Sequence, residues 1–478
     1  MIDRKNMVLK SLKNCKPTFV EANVQLNSLT AISPIDGRYS DQTKALRPLC
    51  SEYGLFYFRV LVEIRWLQTL ANHAAIKEVA AFSVAAQQQL NQIIENFNLA
   101  DAQQIKTLEK TTQHDIKAVE YFLKQKLAEN PALKPISEFI HFGCTSEDIN
   151  NLAYALMLKE VRQKHLLPPI QQLINRLREL AQQYASCAML GRTHGQAAVP
   201  TTMGKELANF AQRLMVQQQL LTQVAIRGKF NGAVGNYNAH RIAYPNINWP
   251  KLAEEFVLSL GLHWNAYTTQ IEPHDYIAEY CDSLKRINTL LIHLAADCWG
   301  YISLGYFKQQ VKKGEVGSST MPHKVNPIDF ENAEGNLSLA NSLYQHFSNT
   351  LPISRWQRDL RDSTLLRNLG TAFAHNLIAY KSLLQGLEKI SIDEVKLKQD
   401  LDQHWEILAE AIQTVLRRHG AEMPYERLKA LTQGKKLNQE ILHQFIKTLE
   451  ISDTVKQELL LLSPANYLGY ASELAQAI

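Results

Sequence analysis

The sequence predicts a mainly α-helical fold, because apolar residues recur at helical spacing through most of the chain while strand-like alternation is scarce. One apolar stripe runs through 170–180, and its members are Ile170, Leu173, Ile174, Leu177 and Leu180. Similar stripes run over 207–224 and 284–298. Stripes of this length need partners, and long helices usually find them by packing as bundles, often across subunits.

Breaks in the helical pattern divide the chain. At 478 residues, two or three domains are the natural expectation. A Pro-Ala-Leu-Lys-Pro stretch over 131–135 ends a first region, and near 387–394 long helices give way to a charged region of shorter ones. We predict an extension over 1–28 and three helical domains: an N-terminal domain over 29–134, a central long-helix domain over 135–387, and a C-terminal domain over 388–478.

The charge distribution argues against nucleic-acid binding. The chain carries a formal net charge of +5, but residues 1–28 hold five Lys/Arg against two acidic residues, a net of +3. The remaining 450 residues therefore carry only +2 (5 − 3). The longest apolar stretches are interrupted by charged residues, so no membrane span is predicted, and residues 1–23 lack the apolar core of a signal peptide.

The cysteines and the known ligand motifs predict neither a disulfide framework nor a metal site. Six cysteines lie far apart and form no C-x-x-C pair, a pattern typical of a reducing compartment. The sequence has no H-E-x-x-H, no Walker phosphate loop and no G-x-G-x-x-G. We therefore expect a cytoplasmic protein without a metal or cofactor.

The stretch over 317–327, Gly-Ser-Ser-Thr-Met-Pro-His-Lys-Val-Asn-Pro, is the most informative about chemistry. Glycines and prolines exclude a regular helix or strand there. Backbone N–H groups, hydroxyls and Lys324 are what an anion-stabilising loop needs, and Gly314 and Gly317 would let it close. The alternative is a plain Ser/Gly-rich connector.

Two further blocks carry polar groups at helix boundaries. The block over 191–196 places His194 among small and polar residues after an amphipathic segment, and histidine is the first candidate for proton transfer near neutrality. In the block over 142–150, Thr145 or Ser146 followed by acidic residues predicts a capped helix start. The same N–H groups would bind an anion, so both interpretations hold together.

Four other stretches supply candidate binding groups. They contain Arg38 and Tyr39; Gln113, His114 and Asp115; Gln270; and Arg358, Ser363 and Arg367. Alternating Arg and Asp over 355–362 is typical of a solvated helix face. Ser363 and Arg367, however, are four residues apart on one predicted helix face, with Arg358 about one turn further back, and such a set would grip a phosphate monoester.

The loop at 317–327 and the blocks at 191–196 and 142–150 resemble those of the fumarase/aspartase superfamily, whose members eliminate fumarate or a relative from a substituted succinate. All seven blocks, in their order and spacing, resemble the adenylosuccinate lyases, and among them the bacterial subgroup with longer loops. The resemblance runs from about Ser28 to the C-terminus. His323 also occurs in the cycloisomerases, so the phosphate-type cluster distinguishes these branches.

The resemblance implies a carbon–nitrogen lyase of purine and AMP biosynthesis that acts without a cofactor. Such enzymes release fumarate from adenylosuccinate, giving AMP, and from succinylaminoimidazole carboxamide ribotide. It also implies a homotetramer in which three subunits build each active site. The central long-helix bundle would then be completed by tetramerisation.

The resemblance further assigns roles by position. Ser318 would remove the carbon-bound proton, His194 would protonate the departing nitrogen, and Glu331 would orient His194. The succinyl group would be held by Thr145, Ser146, Gln270, Ser319, Lys324 and Asn326. The phosphate and ribose would be held by Arg38, Tyr39, Arg358, Ser363 and Arg367, and the base would be lined by Gln113, His114, Asp115 and Asn332.

Three alternatives stay open from the sequence. The chain could be another lyase of the superfamily, such as an argininosuccinate lyase, or a cycloisomerase. It could also be an inactive helical scaffold, although the joint presence of His194, Ser318 and Lys324 argues against that. Ser319 rather than Ser318 could be the base. Residues 1–27 have no counterpart in the resemblance and could be a short interaction tail.

Overall fold

A computed structural model of the chain describes residues 25–310, 321, 324–432 and 437–478. The chain falls into two compact units, one ending at Lys44 and one beginning at Ala45. In the first unit, turns over 27–39 lead into helix α1, Ser40–Thr43. The Thr43 hydroxyl donates to the backbone oxygen of Ile35 at 2.9 Å and so folds this short segment on itself.

The second unit is built of helices, which confirms the predicted mainly α-helical fold. Up to residue 259 they are α2 Arg47–Cys50, α3 Glu52–Ala71, α4 Val84–Glu95, α5 Leu99–Thr112, α6 Asp115–Ala128, α7 Ser146–Val161, α8 Leu167–Gln183, α9 Met203–Gln223, α10 Asn238–Ala243 and α11 Trp249–Ser259. Beyond it they are α12 Asp275–Ser303, α13 Ile328–Thr350, α14 Arg361–Leu366, α15 Leu369–Lys389, α16 Glu394–Asp402, α17 Ala409–Arg418, α18 Pro424–Thr432, α19 Gln439–Lys447, α20 Asp453–Leu460 and α21 Ala471–Gln476.

Strands are short and pair two by two. They are β1 Ala188–Met189, β2 Arg192–Thr193, β3 Gln196–Ala197, β4 Thr201–Thr202, β5 Arg227–Gly228, β6 His263–Trp264, β7 Phe307–Gln309 and β8 Ile390–Ile392. β1 pairs with β4, β2 with β3, and β7 with β8, all antiparallel, whereas β5 and β6 are parallel. Short 3₁₀ turns cover Lys44–Leu46, Lys134–Phe139 and Trp405–Leu408.

Helices α7 and α8 form one rod joined by a π-helical turn over Arg162–Leu166. At this turn the N–H of Leu167 donates to the oxygen of Arg162, five residues back. Pro168 and Pro169 follow at the start of α8 and have no N–H to donate. A wider turn at this position accommodates the lost hydrogen bonds without ending the rod.

The long helices α8, α9, α12, α13 and α15 pack side by side around the predicted apolar stripes. All five residues named in the 170–180 stripe are buried. A closed polar ring lies inside this core: Asn288 Nδ2 donates to Asn376 Oδ1 at 3.0 Å, Asn376 Nδ2 to the Tyr380 hydroxyl at 2.8 Å, and that hydroxyl to Asn288 Oδ1 at 3.1 Å. Because every donor has its acceptor, the ring ties α12 to α15 in one register.

Several apolar side chains remain exposed on the outer faces of the central helices. They include Met215, Val216 and Leu220 on α9, Trp299 on α12, and Ile328 and Leu339 on α13. None of the helices in the described ranges is long and apolar enough to cross a membrane.

Candidate active site

The helix start predicted at Thr145 or Ser146 is observed, and a buried carboxylate organises it. Helix α7 begins at Ser146, and Asp148 Oδ2 accepts from the backbone N–H of Thr145 at 2.8 Å. Asp148 Oδ1 accepts from Lys229 Nζ at 2.8 Å and from the N–H of Asn231 at 2.9 Å, and Gly232 N lies 3.1 Å from Oδ2. The side chains of Asp148 and Lys229 are both fully buried. This carboxylate therefore fixes the 229–232 loop against the Thr145–Ser146 turn.

A chain of polar contacts runs from this helix to four other predicted site residues, Asp115, Arg367, Arg358 and Gln270. Arg59 Nε donates to Asn150 Oδ1 at 2.8 Å, and Arg59 Nη2 lies 2.7 Å from Asp115 Oδ2. Arg367 Nη2 reaches the same carboxylate oxygen at 3.2 Å. On the other side, Asn150 Nδ2 donates to Glu147 Oε1 at 2.9 Å.

The chain of contacts continues from Glu147 to Arg358. Arg358 Nη1 lies 2.8 Å from Glu147 Oε1 and 3.4 Å from Gln270 Oε1, while its Nη2 is 3.8 Å from Asp362 Oδ1. Gln270 is held in turn, because its Nε2 donates to the oxygen of Ala233 at 3.0 Å. Segments that are far apart in sequence are thus connected by these contacts. The 355–367 stretch contributes two of the guanidinium groups, those of Arg358 and Arg367.

The electrostatics of Asp115 follow from these contacts. Burial alone would raise the pKa of its carboxyl, but the nearby Arg59 guanidinium, the N–H of Ile116 and Arg367 together outweigh burial and lower this pKa. The carboxylate therefore stays ionised and keeps both guanidinium groups in place. His114 is the N-cap of α6, where its Nδ1 accepts from Lys117 N at 3.3 Å, and its side chain is half exposed.

The structure describes the surroundings of Gln113, and in the 355–367 stretch it places Arg358 differently from the sequence-based expectation. Gln113 adopts a positive φ of 51° and its Nε2 donates to the oxygen of Lys110 at 2.8 Å, so this amide bonds the preceding helix end. Arg358 precedes α14 in a turn, stabilised by donation from Asp359 N to Ser354 Oγ at 3.0 Å, instead of lying one turn back along the helix of Ser363. Ser363 is within α14, and Arg367 directly follows it.

His194 occupies the tip of an exposed hairpin formed by β2 and β3. Arg192 pairs with Ala197 and Thr193 with Gln196, which leaves His194 and Gly195 as a two-residue turn with φ values of 54° and 74°. Two successive positive φ values define a type I′ turn, which suits the twist of a hairpin. Left-handed backbone costs a residue with a side chain about 1–3 kcal/mol and is often retained at functional sites. No described residue forms a hydrogen bond or ion pair with the His194 imidazole.

The structure describes only part of the 311–327 stretch, together with the helix that follows it. Ser318 and Ser319 lie outside the described residues, as do Gly314, Gly317 and His323. Lys324 is exposed and Asn326 is half-buried just before α13. In α13, Glu331 Oε1 accepts from Trp299 Nε1 at 3.2 Å, and Asn332 Oδ1 accepts from the Ser382 hydroxyl at 2.8 Å.

Arg38 and Tyr39 belong to the first unit, where the Arg38 guanidinium lies 6.0 Å from the centre of the Tyr39 ring. No group of three or more potential metal-ligating side chains occurs within the described ranges. The free cysteines in those ranges, Cys50, Cys144, Cys187, Cys281 and Cys298, take no part in the contacts above.

Sequence reasoning missed Arg59, Glu147, Asn150 and Lys229 as members of the cluster. One signal for Arg59 was available, because it lies with Glu63, one helical turn later, inside the otherwise apolar run of α3. Both side chains are buried, and a charge inside an apolar helix face requires a polar partner. The partners themselves, Asn150 and Asp115, lie 91 and 56 residues away and leave no local signal.

The chain matches two families of known proteins. Residues 37–340 match a family described as Lyase, and residues 354–468 match one described as adenylosuccinate lyase C-terminal. The chain is 58% identical over 448 residues to the adenylosuccinate lyase of Escherichia coli K12, covering 94% of this chain and 98% of that protein. It is 56% identical to the adenylosuccinate lyase of Vibrio cholerae over 95% of this chain and all of that protein.

Solved structures with far lower identity share the fold. A fumarate lyase from Mesorhizobium sp. BNC1 aligns with a TM-score of 0.73 at 18% identity, covering 91% of this chain and 97% of that one. The β-carboxy-cis,cis-muconate cycloisomerase from Acinetobacter calcoaceticus aligns with a TM-score of 0.69, also at 18% identity, over 92% of this chain and 99% of that one. At this identity the similarity concerns the fold alone.

Proposed function

The chain belongs to the adenylosuccinate lyase family, and we infer that it is a carbon–nitrogen lyase that eliminates fumarate from adenylosuccinate, giving AMP. By the same chemistry it would act on succinylaminoimidazole carboxamide ribotide in purine nucleotide biosynthesis. The observation that carries this proposal from the chain's own residues is that Arg358 contacts both Glu147 at the start of α7 and Gln270, while Arg367 contacts Asp115 at the start of α6.

This cluster suits an anionic substrate. Two guanidinium groups supply fixed positive charge with planar donor sets that match a phosphate, and the start of α7 adds backbone N–H groups for a carboxylate. Arg358 and Arg367 are at present bonded to Glu147 and Asp115, which hold them in position. In the proposal, Ser363, Arg38 and Tyr39 add to the phosphate and ribose end, and Thr145, Ser146 and Gln270 hold the succinyl end.

The proton transfers are assigned to two other segments. Elimination requires removal of a weakly acidic proton beside a carboxylate, followed by protonation of the departing nitrogen. In the proposal, Ser318 removes the proton as an alkoxide, and Lys324 and Asn326 stabilise the negative charge that develops on the succinyl oxygens. Ser319 binds a succinyl carboxylate. His194 then donates to the nitrogen. Gln113, His114, Asp115 and Asn332 line the base.

We propose that several subunits of a homotetramer contribute to each active site. Two observations support this arrangement. The imidazole of His194 stands on an exposed hairpin without a partner among the described residues, so it is available to another chain. Apolar side chains also remain exposed on helices α9, α12 and α13, as expected where helices of one copy pack on those of another. A cytoplasmic location belongs to the same proposal and rests on the cysteines that are free within the described ranges.

The direct test is a spectrophotometric assay of the purified full-length chain with adenylosuccinate, with AMP and fumarate identified as products. The His194→Gln variant should lose about 10²–10⁴-fold in kcat, the usual contribution of one acid or base, while it still binds AMP. An active His194→Gln variant would refute the assigned role of His194. A wild-type chain that leaves adenylosuccinate unchanged would refute the function itself.

Subunit sharing has its own test. Two variants that are each expected to lose about 10²–10⁴-fold in kcat, His194→Gln and Ser318→Ala, are mixed, dissociated and reassociated. If a site takes these residues from different chains, some mixed sites contain neither substitution and activity returns. If both residues come from one chain, every site keeps a defect and the mixture stays inactive. Light scattering on the same samples should report a tetramer.

A further inference from the structure

The carboxylate of Asp400 connects two segments that are distant in sequence. Asp400 lies in α16, and its Oδ2 accepts from Arg192 Nη2 at 2.6 Å across 208 residues of sequence. The same oxygen accepts a hydrogen bond from the Tyr306 hydroxyl. Nothing in the proton transfers described above uses this cluster, although Arg192 is two residues from His194.

The cluster is partly shielded from solvent. The Arg192 guanidinium also lies 5.8 Å from the centre of the Tyr306 ring, where a cation is attracted by the ring face. Side-chain exposure is 29% for Arg192 and 17% for Asp400, and Tyr306 is buried. A charge-assisted hydrogen bond in such surroundings is less screened than an ordinary surface ion pair, and it holds the arginine in one orientation.

The hairpin has few other anchors. Leu190, just before it, is buried in the apolar core of the C-terminal region with Leu401, Leu408 and Ile412. Ala198 N donates to Gly191 O at 2.8 Å and closes the base of the hairpin. Beyond these contacts, the bond from Arg192 to Asp400 is the only side-chain hydrogen bond or ion pair of residues 192–197 to the rest of the described chain.

We propose that Asp400 is a positioning residue for His194, because it holds Arg192 and through Arg192 orients the hairpin that presents the imidazole. The inference rests on the proposed role of His194 as the proton donor. The type I′ turn transmits this orientation, since His194 follows Arg192 by two residues in a backbone whose two central φ values are both positive. Tyr306 supports the same carboxylate and leads directly into β7, which precedes residue 311.

Proton transfer is sensitive to such placement, and an error of about 1 Å can cost about 10²-fold in rate. Loss of the Asp400 charge should therefore lower kcat more than it changes substrate binding. We expect Asp400→Asn to reduce kcat by about 10- to 100-fold, with KM for adenylosuccinate within about 3-fold of wild type. Arg192→Met should behave in the same way, and Arg192→Lys should recover part of the loss because it keeps a cation within reach of Asp400.

A matched control separates this effect from general damage to the region. Lys308 Nζ lies 2.6 Å from Asp393 Oδ2 on the β7–β8 pair, so Lys308→Met removes an ion pair close to the same strands without touching the hairpin. The control should keep wild-type kcat. Amide hydrogen exchange of residues 192–198 should be faster by about 10-fold or more in Asp400→Asn, and unchanged in Lys308→Met.

The readouts distinguish the two proposals. Two results would overturn the positioning role even if the wild-type enzyme is fully active. One is that amide hydrogen exchange of the hairpin is the same in Asp400→Asn as in the wild type. The other is that kcat of Arg192→Lys is no higher than kcat of Arg192→Met. A different result would refute the proposed function and leave the hairpin anchor supported. In that case the wild-type and Lys308→Met chains are both inactive, yet amide hydrogen exchange of the hairpin is faster in Asp400→Asn. Wild-type kcat in Asp400→Asn would refute the inference alone.

Discussion

Arg358 and Glu147 form an ion pair, with Nη1 2.8 Å from Oε1, although they are separated by more than 200 residues. Glu147 is buried in the first turn of α7, next to the N–H groups of the Thr145–Ser146 turn, and Arg358 also reaches Gln270. One guanidinium thus connects the turn predicted to hold a carboxylate with the stretch predicted to hold a phosphate. Its position is set by the protein before any substrate arrives, which lowers the cost of ordering it on binding.

Replacement of Arg358 by methionine should therefore weaken substrate binding. A hydrogen bond to a charged group contributes about 1.5–3 kcal/mol, which corresponds to a rise in KM of about 10- to 150-fold. Steady-state kinetics with adenylosuccinate measures it. Arg361→Met is the matched control, because Arg361 lies on the same stretch but bonds Asp359 and the oxygen of Ile353. Equal KM values for the two variants would contradict the role of Arg358.

The two candidate bases, Ser318 and Ser319, can be separated by a pair of alanine variants. If Ser318 removes the proton, Ser318→Ala should lose about 10²–10⁴-fold in kcat while AMP binding, measured by calorimetry, stays close to wild type. Ser319→Ala should raise KM and keep most of kcat, because it only binds a carboxylate. The reverse pattern would transfer the role of base to Ser319.

The His141–Glu63 pair predicts a pH-dependent stability. His141 Nδ1 lies 2.6 Å from the buried Glu63 carboxylate. Burial would lower the pKa of His141, but the Glu63 charge and hydrogen bond outweigh burial and raise it. Because the pKa of His141 is higher in the folded than in the unfolded state, the protonated imidazole stabilises the fold. This stabilisation is fully present below about pH 6.5, the unfolded-state pKa, and it is lost as the pH rises through the folded-state pKa.

His141→Asn should accordingly lower the unfolding midpoint most near pH 6, where the hydrogen bond of the charged imidazole contributes about 1.5–3 kcal/mol, and less at higher pH. Asparagine is chosen because His141 has a positive φ of 62°, which asparagine tolerates. Thermal unfolding at fixed protein concentration from pH 6 to 9 measures the difference from wild type. A difference that grows with pH would show that the pair acts in the opposite sense.

The polar ring of Asn288, Asn376 and Tyr380 should contribute to stability and not to catalysis. Tyr380→Phe keeps the ring shape but leaves Asn376 Nδ2 and Asn288 Oδ1 without their hydroxyl partner. An unsatisfied buried group costs about 1–3 kcal/mol, so the unfolding midpoint should fall while KM is unchanged. Tyr425→Phe, at an exposed position, is the control and should change neither quantity.

Local sequence patterns predicted much of the secondary structure. The apolar stripe over 170–180 is buried as expected, and α7 begins at Ser146, where a small polar residue followed by acidic ones predicted a capped start. Both features depend on residues within one or two turns of each other, so periodicity and capping chemistry are sufficient. The sequence also placed His194 between small residues, where the structure has a two-residue turn.

The sequence thus determined which residue types are available to bind a substrate, whereas the tertiary structure decided which residues form ion pairs with them. Arg358 meets Glu147, Arg59 meets Asp115, and Arg192 meets Asp400 only because helices remote in the chain pack side by side. Hydrophobic periodicity predicts which face of a helix is buried, but it does not identify the helix that packs against that face. That choice depends on the simultaneous packing of all the helices, and it fixes the charge and orientation of each candidate site residue.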